Sequence, residues 1–287
     1  MKPNVPYHSA RLEGMITRRF YQAALSVIAR KKIEISRDVP LEVYAYSGEK
    51  TLPEQVASIR SFLAHAGRPK KFTVVSDGSY TADSAALLES IDQCVQVQQT
   101  SPPLPAGLPE DVQSFLTNHF TGRQLILIMS LPVNGPALYT DSDVLFFKGA
   151  REIADLAQTR SVPAFYQADC VFAGDEKLLR DETEKQNPAN MGFLLLFKRL
   201  DWSRGLERLH EFPSVPNFFT TQTITQLSLH ANGAQPFDPQ KFVLQLDDEF
   251  GYADHYANGA LAVRHYVNPI RHKFWAAIGH QILRGLW

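Results

Sequence analysis

Two aspartates, one residue apart, interrupt the apolar run ALYTDSDVLFF at residues 137–147. Burying an ionised carboxylate costs several kcal/mol unless a cation or hydrogen bonds compensate its charge. If the apolar flanks enter a core, Asp141 and Asp143 therefore need a partner, and a divalent metal is the simplest one. Oxygen ligands suit hard ions such as Mg²⁺ and Mn²⁺, which commonly bind a substrate's phosphates as well. The alternative is a solvated turn between two strands, where Asp and Ser are common.

The composition excludes several classes of protein. With 287 residues, 44% of them hydrophobic and 21% charged, the chain is typical of a globular protein with a substantial core. Its net charge of -1 leaves no basic field for nucleic acid or an anionic membrane surface. Cys94 and Cys170 offer neither a disulfide framework nor zinc-ligand spacing, which favours a reducing compartment. Because no apolar run is long enough for a signal peptide or a membrane span, we expect a cytoplasmic protein without a transmembrane segment.

Alternating strand and helix patterns follow an amphipathic N-terminal segment. A helix is predicted over residues 9–32, where apolar side chains recur at three- and four-residue steps. After it, the patterns predict strands at 41–46, 71–76, 164–167 and 193–197, and helices at 53–66, 80–93 and 150–159. Turn residues follow the first two strands, as Ser47-Gly48 and Asp77-Gly78. Strands and helices in this order are typical of an α/β fold with a parallel sheet.

The same patterns indicate how the chain is divided and where a ligand would bind. Neither an internal repeat nor a flexible linker interrupts the chain, so we predict a helical extension at 1–40 and one α/β domain at 41–287. Side chains alternate along a strand, so Asp141 and Asp143 would point to the same side of an extended segment. Open α/β sheets bind ligands at the carboxyl ends of their strands, which is where these aspartates are expected.

The segment LYTDSDV, residues 138–144, resembles the YLDSDVL signature of GT-A-fold glycosyltransferases, most closely the glycogenin- and galactosyltransferase-like type. Further motifs occur in the family's order: a basic residue upstream, an NxG element, an EQ/DQ helix start and a carboxyl-terminal HxxGxxKPW. They are matched here by Arg123, by Asn190-Met191-Gly192, by residues 219–223 with Gln222, and by residues 265–275 beginning at His265. The resemblance covers most of residues 41–275.

The carboxyl-terminal segment departs from the family's pattern. The glycine that usually follows the histidine is displaced, and Phe274 stands where the family has proline. Arg271, His272 and Lys273 therefore remain alternatives for the residue that contacts a donor diphosphate. On the sequence alone, His265 could also be an ordinary hydrogen-bonded core histidine.

The resemblance implies a fold, a reaction and a set of site residues. The fold would be GT-A, a Rossmann-like mixed and mainly parallel sheet flanked by helices. The reaction would be metal-dependent transfer of a sugar from a nucleotide-diphosphate sugar, a UDP-sugar by preference, to an unidentified acceptor, with Mn²⁺ or Mg²⁺ as cofactor. The implied metal ligands are Asp141, Asp143 and His265, the donor-binding residues are Tyr46, Ser47, Asp77, Gly78, Arg123, Arg271 and Lys273, and Asn190, Gln222 and Asp247 join the two aspartates as catalytic candidates.

Two other functions use similar residues. Haloacid-dehalogenase-like phosphatases also place Asp-x-Asp at a strand end, and Asp247-Asp248 could imitate their late acidic pair. Their motif normally lies on the first strand, however, whereas two βα units precede it here, and residues 265–275 would have no role. A non-catalytic nucleotide-sugar-binding protein on the same fold is the third hypothesis.

Overall fold

The computed structural model describes residues 4–283 except 101, 105, 160, 213, 258 and 259. The strands are β1 Asp38–Ser47, β2 Arg68–Ser76, β3 Val95–Gln98, β4 Ala137–Thr140, β5 Val144–Phe146, β6 Ala164–Ala168, β7 Ala189–Leu196, β8 Gln235–Pro236, β9 Phe242–Val243 and β10 Val263–His265. The α-helices are α1 Val5–Ala23, α2 Leu25–Arg30, α3 Leu52–His65, α4 Ala82–Glu89, α5 Glu110–Asn118, α6 Phe120–Ser130, α7 Glu152–Leu156, α8 Ser203–His210, α9 Phe218–Ala231 and α10 Arg271–Leu283.

Seven strands form the central sheet in the order β3-β2-β1-β4-β7-β6-β8. The pairs from β3 to β4 are parallel, as is β6 with β8, whereas β7 runs antiparallel to both β4 and β6. A second, three-stranded sheet has the order β5-β10-β9. The predicted fold class, a mixed and mainly parallel sheet flanked by helices, is confirmed.

Both faces of the central sheet are covered, which explains the uninterrupted apolar run at residues 193–196 of its middle strand β7. Along β7, Phe193 and Leu195 pack into one core cluster, and Leu194 and Leu196 pack into the other. Successive side chains of a strand point to opposite faces, so a strand buried on both sides needs apolar residues at every position. The first cluster includes residues of α3 and α10, and the second includes residues of α6 and α9.

The predicted elements of the first half lie where the patterns place them, with shifted ends. The predicted strand at 41–46 extends to Asp38–Ser47, and the predicted helix at 53–66 is Leu52–His65. The helix predicted at 80–93 is shorter, Ala82–Glu89, and is followed by β3, which was not predicted. The helix predicted at 150–159 begins as a 3₁₀ turn and ends at Leu156.

The two aspartates do not lie on one extended segment, so that prediction is wrong. A turn at Ser142-Asp143 separates β4 in the central sheet from β5 in the small sheet. The amide of Asp141 donates to the carbonyl of Gly192 on β7, and the chain then turns so that β5 can pair with β10. The change of sheet, rather than strand alternation, directs both carboxylates to one place.

Of the two N-terminal helices, α1 packs against α10, and α2 packs against α3 and α4. On α1, Gly14 faces the backbone of His272, and the ring of Tyr21 packs at a tilt against Trp275 of α10, with 5.1 Å between the ring centres. On α2, Leu25 and Ala29 belong to the first core cluster. The division of the chain at residue 40 stays a prediction. Within the described residues, no helix is both long enough and apolar enough to cross a membrane.

Candidate metal and donor site

Three predicted ligands meet where the two sheets join. One ligand atom each from Asp141, Asp143 and His265 lies within 4.8 Å of the others. His265 Nε2 is 3.2 Å from Oδ1 of Asp143 and 3.9 Å from Oδ2 of Asp141. The pairing of β10 with β5 sets this geometry, because it places His265 opposite Val144, the residue after the aspartates.

The donor set and its spacing fit a divalent ion. Two carboxylate oxygens and one imidazole nitrogen, separated by 3.2 and 3.9 Å, can converge on an ion with bonds of roughly 2.0–2.2 Å. Gly192 leaves room for them, because a Cβ there would lie 2.5 Å from Oδ2 of Asp141 and closer still to Cε1 of His265. Three ligands leave further positions open for phosphate oxygens and water.

Asp141 is held in place by two residues that sequence reasoning missed. The hydroxyl of Tyr139 and the side-chain amide of Gln124 each donate to Oδ1 at 2.8 Å. Oδ2 therefore remains free to face His265. Burial and the charge of Asp143 raise the pKa of Asp141 to about 6. Tyr139 precedes Asp141 by two positions and could have been found from strand alternation, whereas Gln124 lies on α6 and carried no signal.

Asp143 and His265 form a buried ion pair that Arg271 completes. Burial alone would raise the pKa of Asp143, but His265 and the Arg271 guanidinium, which contacts Oδ2, lower it to about 2. Burial likewise opposes the charge on His265, yet the two aspartates raise its pKa above the usual 6.5. Nδ1 of His265 lies 2.9 Å from the side-chain oxygen of Gln167, a second partner that fixes the ring and was missed.

Of the three alternatives at the start of α10, Arg271 is the residue that reaches the cluster. The ammonium of Lys273 is fully buried and contacts the carbonyls of Asp248 and Ala253 and the carboxylate of Asp248, at 2.5–3.1 Å. Since three oxygens enclose it, the predicted contact of Lys273 with a donor is not supported. His272 packs against Tyr7 of α1, with Nδ1 beside the carbonyl of Pro269.

The other five predicted donor-binding residues lie at or beside the carboxyl ends of β1 and β2. Ser47 Oγ lies 2.6 Å from the hydroxyl of Tyr80, and the Asp77 carboxylate accepts from Ser79. Arg123 donates to the carbonyl of Asp77 at 2.9 Å. The remaining members are Tyr46, whose buried hydroxyl has no hydrogen-bond partner among the described residues, and Gly78, whose φ of 97° favours glycine.

The predicted acceptor-side residues divide into two groups. Asn190 lies beside the cluster: its side-chain oxygen accepts from the amide of Gly192, and its amide donates to Asp169 at 3.1 Å. Gln222, on α9, accepts from the amide of Met191 and so supports the same strand. Asp247 is not brought to the cluster by any contact in the described part of the chain; its carboxylate accepts from the hydroxyl of Tyr256.

A cavity of about 320 Å³ lies elsewhere, at the opposite end of the central sheet. Its walls come from the loops before β4 and β6 and after β7, around Gly135, Pro163 and Phe197. Among its described lining residues Lys198 is the one that ionises, so these residues offer no metal-ligand set and no acid–base pair. The cluster of possible metal ligands found in the described residues lies at the Asp141 end of β4 instead.

The comparisons with known proteins identify the fold. No protein-family model and no curated protein matches the chain. Among solved structures, galactosyltransferase LgtC in complex with donor and acceptor sugar analogues aligns with a TM-score of 0.53 and 17% identity, over 85% of this chain and 99% of that one. The apo form of mouse xyloside xylosyltransferase 1 aligns with a TM-score of 0.50 and 11% identity, over 81% and 98% of the two chains. The fold is thus the GT-A fold of glycosyltransferases, as the sequence predicted.

Proposed function

We propose that this chain, which has the GT-A fold, is a metal-dependent glycosyltransferase that transfers a sugar from a nucleotide-diphosphate sugar to an acceptor. The observation that carries the proposal is the convergence of Asp141, Asp143 and His265 within 4.8 Å at the carboxyl end of β4. Open α/β sheets bind their ligands at this edge. The predicted donor-binding residues on β1 and β2 lie at the same edge, so metal and nucleotide sites would be contiguous.

The metal in this proposal is Mn²⁺ or Mg²⁺, held by both aspartates and by His265. The imidazole favours Mn²⁺, because Mg²⁺ prefers oxygen ligands and retains its water. A bound ion of this kind neutralises charge that develops on a departing diphosphate. The chain contributes the orientation of the ligands: Gln124 and Tyr139 hold one carboxylate, and Gln167 fixes the histidine ring.

Arg271 is the proposed second source of positive charge for the diphosphate. Its guanidinium is always charged and contacts Asp143, while 45% of its side chain is exposed. A metal ion at Asp143 would compete for the same carboxylate and leave the guanidinium to pair with phosphate oxygens, an arrangement that arginine favours geometrically. Arg123, which positions the carbonyl of Asp77, is proposed to support the nucleotide side.

The proposal includes finer assignments for the donor and the acceptor. We assign the nucleoside to the rim formed by Tyr46, Ser47, Asp77 and Gly78, with UDP as the preferred nucleotide, and the acceptor to the side of Asn190 and Gln222. Asp247 is kept as a candidate for the acceptor side. Cys94 is buried and Cys170 half-buried, both as free thiols, and this supports placing the protein in the cytoplasm.

A panel of UDP- and GDP-sugars, incubated with the protein in Mn²⁺ or in chelator, tests the proposal. We expect release of nucleoside diphosphate from one donor in Mn²⁺ and none in chelator. Asp143→Asn should lower that rate on the order of a hundredfold, because a ligand and a charge are lost together. Glu207→Gln, which removes an exposed carboxylate on α8, is the matched control and should leave the rate unchanged.

Three results would contradict the proposal. Equal rates in Mn²⁺ and chelator would exclude the metal site. Donor binding without turnover, with or without an added acceptor panel, would indicate a non-catalytic nucleotide-sugar-binding protein. Release of inorganic phosphate from monophosphates would instead favour the phosphatase hypothesis.

A further inference from the structure

The outward face of the N-terminal helices carries large apolar side chains in a helical row. Leu12, Ile16 and Phe20 follow one another at four-residue steps along α1 and are 53%, 43% and 72% exposed. Side chains at this spacing lie on one face of a helix. Val5 at the start of α1 and Val27 on α2 are also exposed. We call the face formed by these five residues the N-terminal apolar face.

This face cannot be buried by a rotation of α1, because the opposite side of the helix is fixed. Ala10, Gly14 and Tyr21 are buried, and a Cβ at Gly14 would lie 3.1 Å from the carbonyl carbon of His272. Arg18 pairs with Glu54 of α3 at 2.7 Å, which ties the helix to the domain at a second point. The apolar face is therefore held outward by the fold.

The charges beside this face are predominantly positive. Residues 4–32 contain six Arg and Lys residues and one acidic residue, Glu13, in a chain with 29 basic and 30 acidic residues in all. Arg11 and Arg19 on α1 are exposed, as are Arg30, Lys31 and Lys32 at the end of α2. The near-zero net charge of the whole chain thus conceals a local basic surface at the N-terminal helices.

A second exposed apolar residue, on the loop after β9, packs beside the start of α1. The side-chain amide of Asn4 donates to the carbonyl of Phe250 at 3.1 Å, and the rings of Tyr7 and Phe250 are 5.6 Å apart. Phe250 is itself 61% exposed. Tyr7 also contacts His272 of α10 and lies two helical turns before the buried Gly14, so Phe250 stands beside the packed side of α1 and is not part of the N-terminal apolar face.

We propose that the N-terminal apolar face binds the surface of an anionic lipid bilayer, with its apolar side chains among the acyl chains and its arginines at the headgroups. A fixed helix with outward apolar residues and adjacent Arg and Lys residues is typical of helices that lie in a membrane interface. The charge argues against a second copy of this chain as the occupant, since pairing two such faces would bring their cations together. The proposal does not rest on the glycosyltransferase function.

Co-sedimentation of the full chain with vesicles tests this surface. We compare vesicles of phosphatidylcholine alone with vesicles that also contain phosphatidylglycerol, and expect binding to the anionic vesicles. Ile16→Asp and Phe20→Asp should each weaken that binding about tenfold, because each removes one apolar anchor. Arg19→Glu should weaken binding to anionic vesicles specifically. Val215→Asp, at a residue 86% exposed far along the chain, is the matched control and should bind like the wild type.

Circular dichroism and thermal melting confirm that each variant is folded before vesicles are added. Absence of binding to anionic vesicles would overturn the proposal, as would equal binding by the Val215→Asp and Phe20→Asp variants. Light scattering on the same samples tests the alternative, that a second copy of the chain binds this face. A dimer that Phe20→Asp dissociates, without vesicle binding by the wild type, would assign the face to a second copy of the chain and also overturn the proposal.

Discussion

At residue 192 the site leaves no room for a side chain. We expect Gly192→Ala to push His265 and Asp141 apart and to weaken Mn²⁺ binding about tenfold, at a cost in stability of roughly 1–3 kcal/mol. Calorimetric titration with Mn²⁺ and a thermal melt measure the two effects. Gly135→Ala is the matched control, because a Cβ there meets no atom within 4 Å. Mn²⁺ affinity equal to that of the wild type in Gly192→Ala would contradict the assigned metal site.

The protonation of the same cluster predicts how metal binding depends on pH. The pKa of Asp141 is about 6 and that of His265 is raised above 6.5, and both groups must lose their protons to bind a metal. Mn²⁺ affinity should therefore begin to fall as pH drops below the raised pKa of His265 and fall further through about 6, and binding in this range should release protons. Titration in two buffers of different ionisation enthalpy detects the released protons. An affinity that is constant across this range would exclude both groups as ligands.

Residue roles were predictable from the sequence only where a motif marked them. Asp141, Asp143 and His265 were expected together and lie together. Gln167 was not expected, because its contact with His265 joins positions 98 residues apart and nothing local indicates it. Arg271 and Lys273 could not be separated in advance, since residues two apart on a helix point in different directions and only the packing of α10 decides which one faces the site.

At the scale of elements, the junction of α1 with α10 connects the N-terminus to the site. Gly14 of α1 lies against the backbone of His272, one residue after Arg271. A larger residue there must push α10 away, and this would move the Arg271 guanidinium from Asp143. Gly14→Val should therefore lower the free energy of unfolding by roughly 1–3 kcal/mol and also weaken donor binding.

Ser9→Val is the matched control for this junction, because it places the same side chain at an exposed position of the same helix. Urea unfolding and donor titration are carried out on both variants. Their comparison separates the effect of packing at Gly14 from the lower helix propensity of valine, which both variants share. A loss of stability that is equal in the two variants would show that the close approach of α1 to α10 is unimportant.

Helices and strands with a clear hydrophobic period were predictable from the sequence, and elements that form only through tertiary pairing were not. The helix at Leu52–His65 and the strands before Ser47 and Ser76 carry their own turn and cap signals. The antiparallel direction of β7 could not be predicted from the sequence. Its continuous apolar run is typical of parallel strands, and it lacks the alternation of apolar and polar residues that usually marks an antiparallel strand. The short strands β8, β9 and β10, of two or three residues, exist only through their partners.

The whole molecule is organised around one sheet with a core on each face, and the N-terminal helices contribute to one of those cores. Tyr21, Leu25 and Ala29 belong to the same buried cluster as Phe274 and Trp275. Nothing in the amphipathic pattern of residues 9–32 indicated which surface they cover, because the partner helix comes about 250 residues later. The sequence division at residue 40 therefore separates segments that share a core.

Removing residues 1–36 tests whether this N-terminal segment is a dispensable extension. Each large apolar residue withdrawn from the core costs about 1.5–3 kcal/mol, and a domain's entire stability is roughly 5–15 kcal/mol. We therefore expect the truncated chain to lose its cooperative thermal transition. Two adjacent aromatic residues provide the matched pair: Tyr21→Ala, at a buried position, should cost about 3 kcal/mol, whereas Phe20→Ala, at an exposed one, should cost little. A truncated chain that melts cooperatively at the temperature of the full chain would instead make the N-terminal helices an addition to a domain that begins at β1.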